Sequence, residues 1–274
     1  MSDTEDRTYD IPLTAIKPSG AIVHDTIHIA RVDVEAPWRW LSAGWSDLLA
    51  MPHISLAYGA VFAAVAIGLW FGLSTVGWQS LMLALAGGFM LIGPVLAVGL
   101  YEASRRREAG LPIKLRDIIF AGFKAPGQLS LLGLTLLLIY MVWVQIALLL
   151  FMMFFGSQPF PPIDEFVPHL LFTWRGVTLL VVGSAVGAAI AFLVFAICVV
   201  SVPMLMARPV GATTAIFASL RATILNIMPM ALWAALIAGF VAVGLGTLCL
   251  GLIVIFPLIG HASWHAYRDV LGRQ

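Results

Sequence analysis

The chain has 274 residues, of which 61% are hydrophobic and only 11% charged, with a mean hydropathy of +0.99 and a formal net charge of +1. Soluble domains carry roughly 25% charged residues, so this chain has too little polar surface to cover a water-soluble particle, and a soluble enzyme or a disordered scaffold is excluded. A near-neutral chain without a long basic stripe also excludes a nucleic-acid binder.

Residues 1–36 are polar and contain Pro12, Pro18, Ser19 and Gly20. They read as a disordered cytoplasmic tail, within which Ile27–Val34 alternates enough to form a strand on a partner. No short apolar segment with a small-residue cleavage site opens the chain, so the first span is expected to serve as its own insertion signal. Trp38, Trp40, Trp45, Leu48 and Leu49 beside Arg39 and Asp47 suit a short amphipathic helix in the headgroup layer, where tryptophan is favoured. Its plainer role is to anchor the chain ahead of the first span; a partner-docking surface is the alternative.

A spanning helix needs about 20 apolar residues. Ser55–Thr75, Ser80–Leu100, Leu129–Phe155 and Val177–Met206 each meet that length. Met230–Tyr267 is too long for one crossing and reads as a hairpin turning near Gly244, Gly246, Thr247 and Gly251. The fold class is therefore all-α, a polytopic transmembrane bundle of about six spans in the domain 37–274. The outer loop Gly156–Gly176 is too short for a separate domain.

Order of features suggests a repeated unit. Trp40–Leu49 closes at Pro52, Ile119–Lys124 at Pro126, and Ile216–Arg221 at Pro229, each ahead of a hairpin whose second span carries one proline: Pro94, Pro203 or Pro257. This gives three hairpins, each preceded by a short amphipathic cytoplasmic helix. In that threading every lysine and arginine except Arg175 falls on one side, which places both termini in the cytoplasm by the positive-inside rule.

The first five spans hold no Asp, Glu, Lys, Arg or His away from their ends, and Gln145 is the clearest mid-span polar group. Coupled transport usually requires a buried carboxylate or an unwound polar site, so the pattern opposes a coupled transporter. His261 and His265 share a helix face; they are a candidate pair for a metal or a haem, with hydrogen bonding to loop carbonyls or headgroups as the structural alternative. Glu102 lies three and four residues before Arg105 and Arg106, spacings that pair ions on a helix; Arg105, Arg106 and Arg107 together are the candidate contact for an anionic lipid or an acidic partner. Gly68/Gly72 and Gly183/Gly187 permit close helix approach. Cys198 and Cys249 form no disulfide framework and no metal spacing. With no nucleophile beside a base and no phosphate-binding loop, the sequence points to no enzyme and to no cofactor.

The stretches Trp38–Leu41, Gly44–Leu48, Gly93–Arg106, Val200–Leu205 and His261–Asp269 look like a bacterial family of integral membrane proteins catalogued only as a domain of unknown function. The resemblance runs from about Glu35 to the C-terminus. It implies a six-helix bacterial inner-membrane protein, and the respiratory-oxidase labels of some relatives imply an accessory role. The expected function is a non-enzymatic accessory, scaffold or assembly component of a membrane complex. Its expected partners are the bilayer and a membrane protein or a second copy. The alternative is a carrier or channel for an uncharged or apolar solute.

Overall fold

A computed structural model of the chain describes residues 9–16, 22–76, 93–156 and 163–272. Strands β1 (Tyr9–Ile16) and β2 (Ile22–Ile29) pair antiparallel, with Tyr9 opposite Ile29 and Ile16 opposite Ile22. The tail expected to be disordered thus carries a hairpin. Of the expected strand Ile27–Val34 only Ile27–Ile29 lies in β2, which pairs within the chain, and residues 30–33 carry no strand. Ile27 and Ile29 are fully buried, and the backbone N–H of Ala30 donates to the carbonyl of Val270 at 2.8 Å, tying the tail to the end of the last helix.

Helix α1 (Ala36–Ala50) begins with Pro37 in its first turn, where the missing N–H costs nothing. It ends at Met51 because a residue before proline is disfavoured in the helical region, and α2 (Pro52–Val76) starts at that proline. The second expected span, Ser80–Leu100, falls largely on residues outside those described; the chain continues in α3 (Val98–Glu108), α4 (Leu115–Ile119) and a single 3-10 turn, Ala121–Lys124. The second amphipathic helix of the expected repeat is therefore only this turn. Ile119–Lys124 lies directly before Pro126, which starts the next helix, so the segment has no room to extend.

Helix α5 (Pro126–Phe155) is a long apolar rod. After α5 the chain forms α6 (Ile163–Phe172), followed by α7 (Trp174–Cys198), α8 (Ser201–Ala207) and α9 (Ala212–Leu225). The Thr173 hydroxyl caps α7 by accepting from the Gly176 N–H at 3.0 Å. Where the chain breaks between α7 and α8, Ser219 of α9 accepts from the Val200 N–H and donates to the Ala196 carbonyl. A buried helix end would otherwise leave such groups unpaired. In α9 the small residues Ala215, Ala218 and Ala222 face inward, while Phe217 and Ile224 are exposed.

Met230–Tyr267 resolves into two helices, α10 (Ile227–Gly246) and α11 (Leu252–Val270). Their turn falls where the small residues cluster, but the left-handed backbone is taken by Leu248 and Cys249 rather than by glycine. Thr247 steadies it by accepting from the Gly251 N–H at 2.9 Å. Among the described residues, four helical segments are long and apolar enough to cross a membrane: Pro52–Thr75, Pro126–Phe155, Trp174–Ala207 and Ile227–Gly246. Helix α11 is outside that set because its second half is polar. The whole of α11 is the hub of the fold, with α1, α2 and α3 packed around it.

Two glycines set how closely the helices approach the hub. A side chain at Gly44 would strike the backbone of Ala262, and one at Gly59 would meet the Ile253 carbonyl at 2.2 Å. Backbone contacts this close leave room for no Cβ. The small-residue steps noted in the sequence do less: nothing approaches Gly68, Gly72 or Gly183, and Gly187 lies under the ring of Trp143.

Candidate functional site

The polar groups of the described chain gather at the end of the bundle where α1 crosses α11. Asp47 of α1 is 1% exposed. Its Oδ2 accepts from the Ser104 hydroxyl of α3 at 2.5 Å and faces His265 Nε2 of α11 at 2.9 Å. Its Oδ1 pairs with the Arg107 guanidinium, which also reaches Ser46. Burial pushes the Asp47 carboxyl up, but hydrogen bonds from His265 and Ser104 and the favourable field of the neighbouring His265 more than offset it, so the group lies below the ordinary aspartate value.

The pattern extends one layer deeper. Ser104 has a single proton and gives it to the carboxylate, so it receives one from His261 Nδ1, 2.7 Å away. His261 Nε2 is then free to accept from the Ser55 hydroxyl of α2 at 2.9 Å. Ser55, His261 and Asp47 thus form one hydrogen-bonded line through Ser104, joining α1, α2, α3 and α11. Ser55 and His261 are fully buried, and Ser104 is 1% exposed.

A second cluster lies alongside. Glu102, fully buried, accepts from Arg105 Nε and Nη2 and from Arg106 Nε at 2.7–2.9 Å. Arg106 also bonds Asp117 and the Pro112 carbonyl, holding α4 against α3. Glu108 accepts from Trp264 Nε1 at 3.1 Å and pairs with Arg268. On the other flank Trp40 Nε1 donates to Asp269 at 2.9 Å, and its ring meets Trp233 edge-on at 5.8 Å. Asn226, at the head of α10, accepts from the Val32 N–H at 2.9 Å and donates to the Ala30 carbonyl at 3.0 Å, clamping the tail.

The candidate residues read from sequence separate accordingly. The pairing of Arg105 and Arg106 with Glu102 is present, and Arg107 turns instead to Asp47. Trp40 is a core residue rather than a headgroup anchor, because its ring packs against Trp233 while its indole N–H donates to Asp269; Trp38 and Trp45 remain exposed. His261 and His265 share a neighbourhood, but both ring nitrogens of His261 already have hydroxyl partners. Among the described residues no group of three His, Cys, Asp or Glu side chains is placed to hold a metal ion. It is Ser55 of α2 that reaches the His261 imidazole. Asp47, Ser55, Ser104, Glu108 and Asn226 lie outside the candidates that the sequence pattern marks. Their only sequence signal is that Asp47 and Ser104 lie in the stretches that carry the resemblance.

Ser55 against His261 Nε2 repeats the hydroxyl–imidazole pairing of serine hydrolases. Here the hydroxyl and imidazole are buried together with Asp47, and their hydrogen bonds join four helices.

This fold, with apolar helices of spanning length around an inward-facing polar knot, defines a helical integral membrane protein. Residues 81–207 match the family model described as "Predicted integral membrane protein (DUF2189)". The matched segment includes the Gly93–Arg106 and Val200–Leu205 stretches; Trp38–Leu48 and His261–Asp269 lie outside it, yet the fold brings them against Gly93–Arg106. No curated protein and no solved structure matches the chain.

Proposed function

We propose that the protein is a non-enzymatic accessory or scaffold component of a membrane complex. In this reading it sits in a bacterial inner membrane with both termini cytoplasmic and works through the outward faces of its spans. The observation that carries the reading is a contrast in burial. Only 11% of the most apolar window of α5 is covered by the rest of the chain, against 44% for the Trp174–Ala207 segment, while the ionisable side chains of the polar knot hold one another. Arg39, Arg105, Arg106, Arg107 and Arg268 all belong to the knot or its rim, which supports assigning that end to the cytoplasm. Trp38 and Trp45 suit the headgroup layer on the same side. A respiratory assembly is the class of complex that the resemblance of the sequence implies.

Photo-crosslinking residues placed at Leu69 of α2 and Leu138 of α5 test the reading in intact membranes. Discrete protein adducts at these faces are expected. Lipid adducts alone, together with saturable flux of a neutral solute in reconstituted vesicles, would overturn it in favour of a carrier.

A further inference from the structure

Gln145 lies within α5, about 7 Å along the axis from the middle of the helix at 1.5 Å per residue, well inside a hydrocarbon core roughly 30 Å thick. Its side chain is exposed, on the outer surface of the protein. A primary amide facing lipid has two donors and an acceptor with no water to satisfy them, and such a group gains most from another amide on a neighbouring helix.

The surroundings of Gln145 follow the spacing of a helix seam. Leu131, Leu138, Gln145 and Met152 recur at heptad intervals, and a leucine or methionine follows three positions after each of the first three. All the apolar members of this seam are at least 37% exposed. The helix packs within its own chain through other positions: Leu129, Leu132 and Leu136 are buried, and Trp143 covers Gly187. One face of α5 thus holds the protein together, and a different face carries an uninterrupted apolar seam with one polar residue on it. A single polar residue at such a position fixes register and copy number in helix pairs.

We propose that this seam is the contact between two copies of the chain, with the Gln145 amides hydrogen-bonded to each other across a two-fold axis. A carboxamide is self-complementary, since its N–H donates to the carbonyl oxygen of an identical group. A two-fold contact sets a residue on its axis against its own counterpart. A second copy therefore supplies the missing donor and acceptor in register, with no charge to bury. The inference rests on the reading of the spans as contact surfaces and names the occupant of one of them.

The test uses the full chain reconstituted in lipid vesicles at high dilution, with donor- and acceptor-labelled copies mixed for energy transfer. Association is expected to weaken roughly three- to tenfold in Gln145→Leu and to be largely retained in Gln145→Asn, which keeps the amide. Oxidative cross-linking adds position. Leu138→Cys and Gln145→Cys are expected to give covalent dimers, and Ala147→Cys, on the half-buried side, is expected to give none. Association unchanged in Gln145→Leu, or cross-links equal at all three positions, would overturn the proposal. So would monomers at every dilution; if photo-crosslinks at Leu138 still trapped other proteins, the contact-surface reading would stand without a self-contact.

Discussion

The second half of α11 and the middle of α5 are both helical and both belong to the same bundle, yet their polar residues have opposite circumstances. In α11, His261 is sealed inside the protein with partners from α2 and α3, and His265 and Arg268 reach carboxylates on α1 and α3. In α5 the amide side chain of Gln145, close to mid-span, faces outward amid leucine and methionine. The first arrangement converts polar groups into fasteners. Each hydrogen bond is worth little net, but removing one partner leaves a desolvated group behind. The second leaves a polar group to be satisfied by something outside the chain. The comparison separates what holds the molecule together from what it offers to others.

The sharpest way to break the fastened region is to part its helices. Gly59→Val drives a branched side chain into the Ile253 carbonyl, and the α2–α11 contact is expected to lose on the order of 3 kcal/mol or more, read as loss of folded protein in a detergent stability screen. Next in size is Asn226→Ala. It leaves the Val32 N–H and the Ala30 carbonyl without their side-chain partner and is expected to cost about 1–3 kcal/mol, with faster hydrogen exchange across residues 27–34 as its local signature. Little change in that exchange would show that the tail is held elsewhere.

The mildest perturbation is pH. The Asp47 carboxyl lies lower in the folded protein than in the unfolded chain, so its contribution is fully present above the ordinary aspartate value, about 4, and is lost as pH falls through the folded value. Melting temperature measured from neutral pH downward is expected to hold until about pH 4 and then drop, and the drop is expected to shrink in Asp47→Asn. An equal acid drop in that variant would assign it to other carboxylates.

The sequence carried much of the scaffold of this fold and little of its knot, for a physical reason. Spanning helices are local: Leu129–Phe155 is predominantly apolar, and the structure extends it only to Pro126. The turn within Met230–Tyr267 was legible from its small residues, and the Glu102–Arg105–Arg106 ion pairs from helical spacing. Asp47 and Ser104 are 57 residues apart, and Asp47 and His265 are 218 apart. No periodicity reports such a meeting. The same limit explains Trp40, whose amphipathic neighbourhood suggested a lipid anchor until the approach of Trp233 and Asp269 buried it. In the tail the polar, proline-bearing composition hides the hairpin of β1 and β2.

The division between fastened and offered regions is tested most directly by comparing thermal unfolding of Asp47→Ala and Leu69→Ala in the same lipid. Asp47→Ala strips a partner from Ser104, His265 and Arg107. Allowing for the partial exposure of Arg107, it is expected to cost roughly 3 kcal/mol. Leu69→Ala, on the outward face of α2, is expected to change stability by less than about 0.5 kcal/mol. Comparable losses in the two variants would contradict the account, because the outward faces would then hold the fold together as much as the polar knot does.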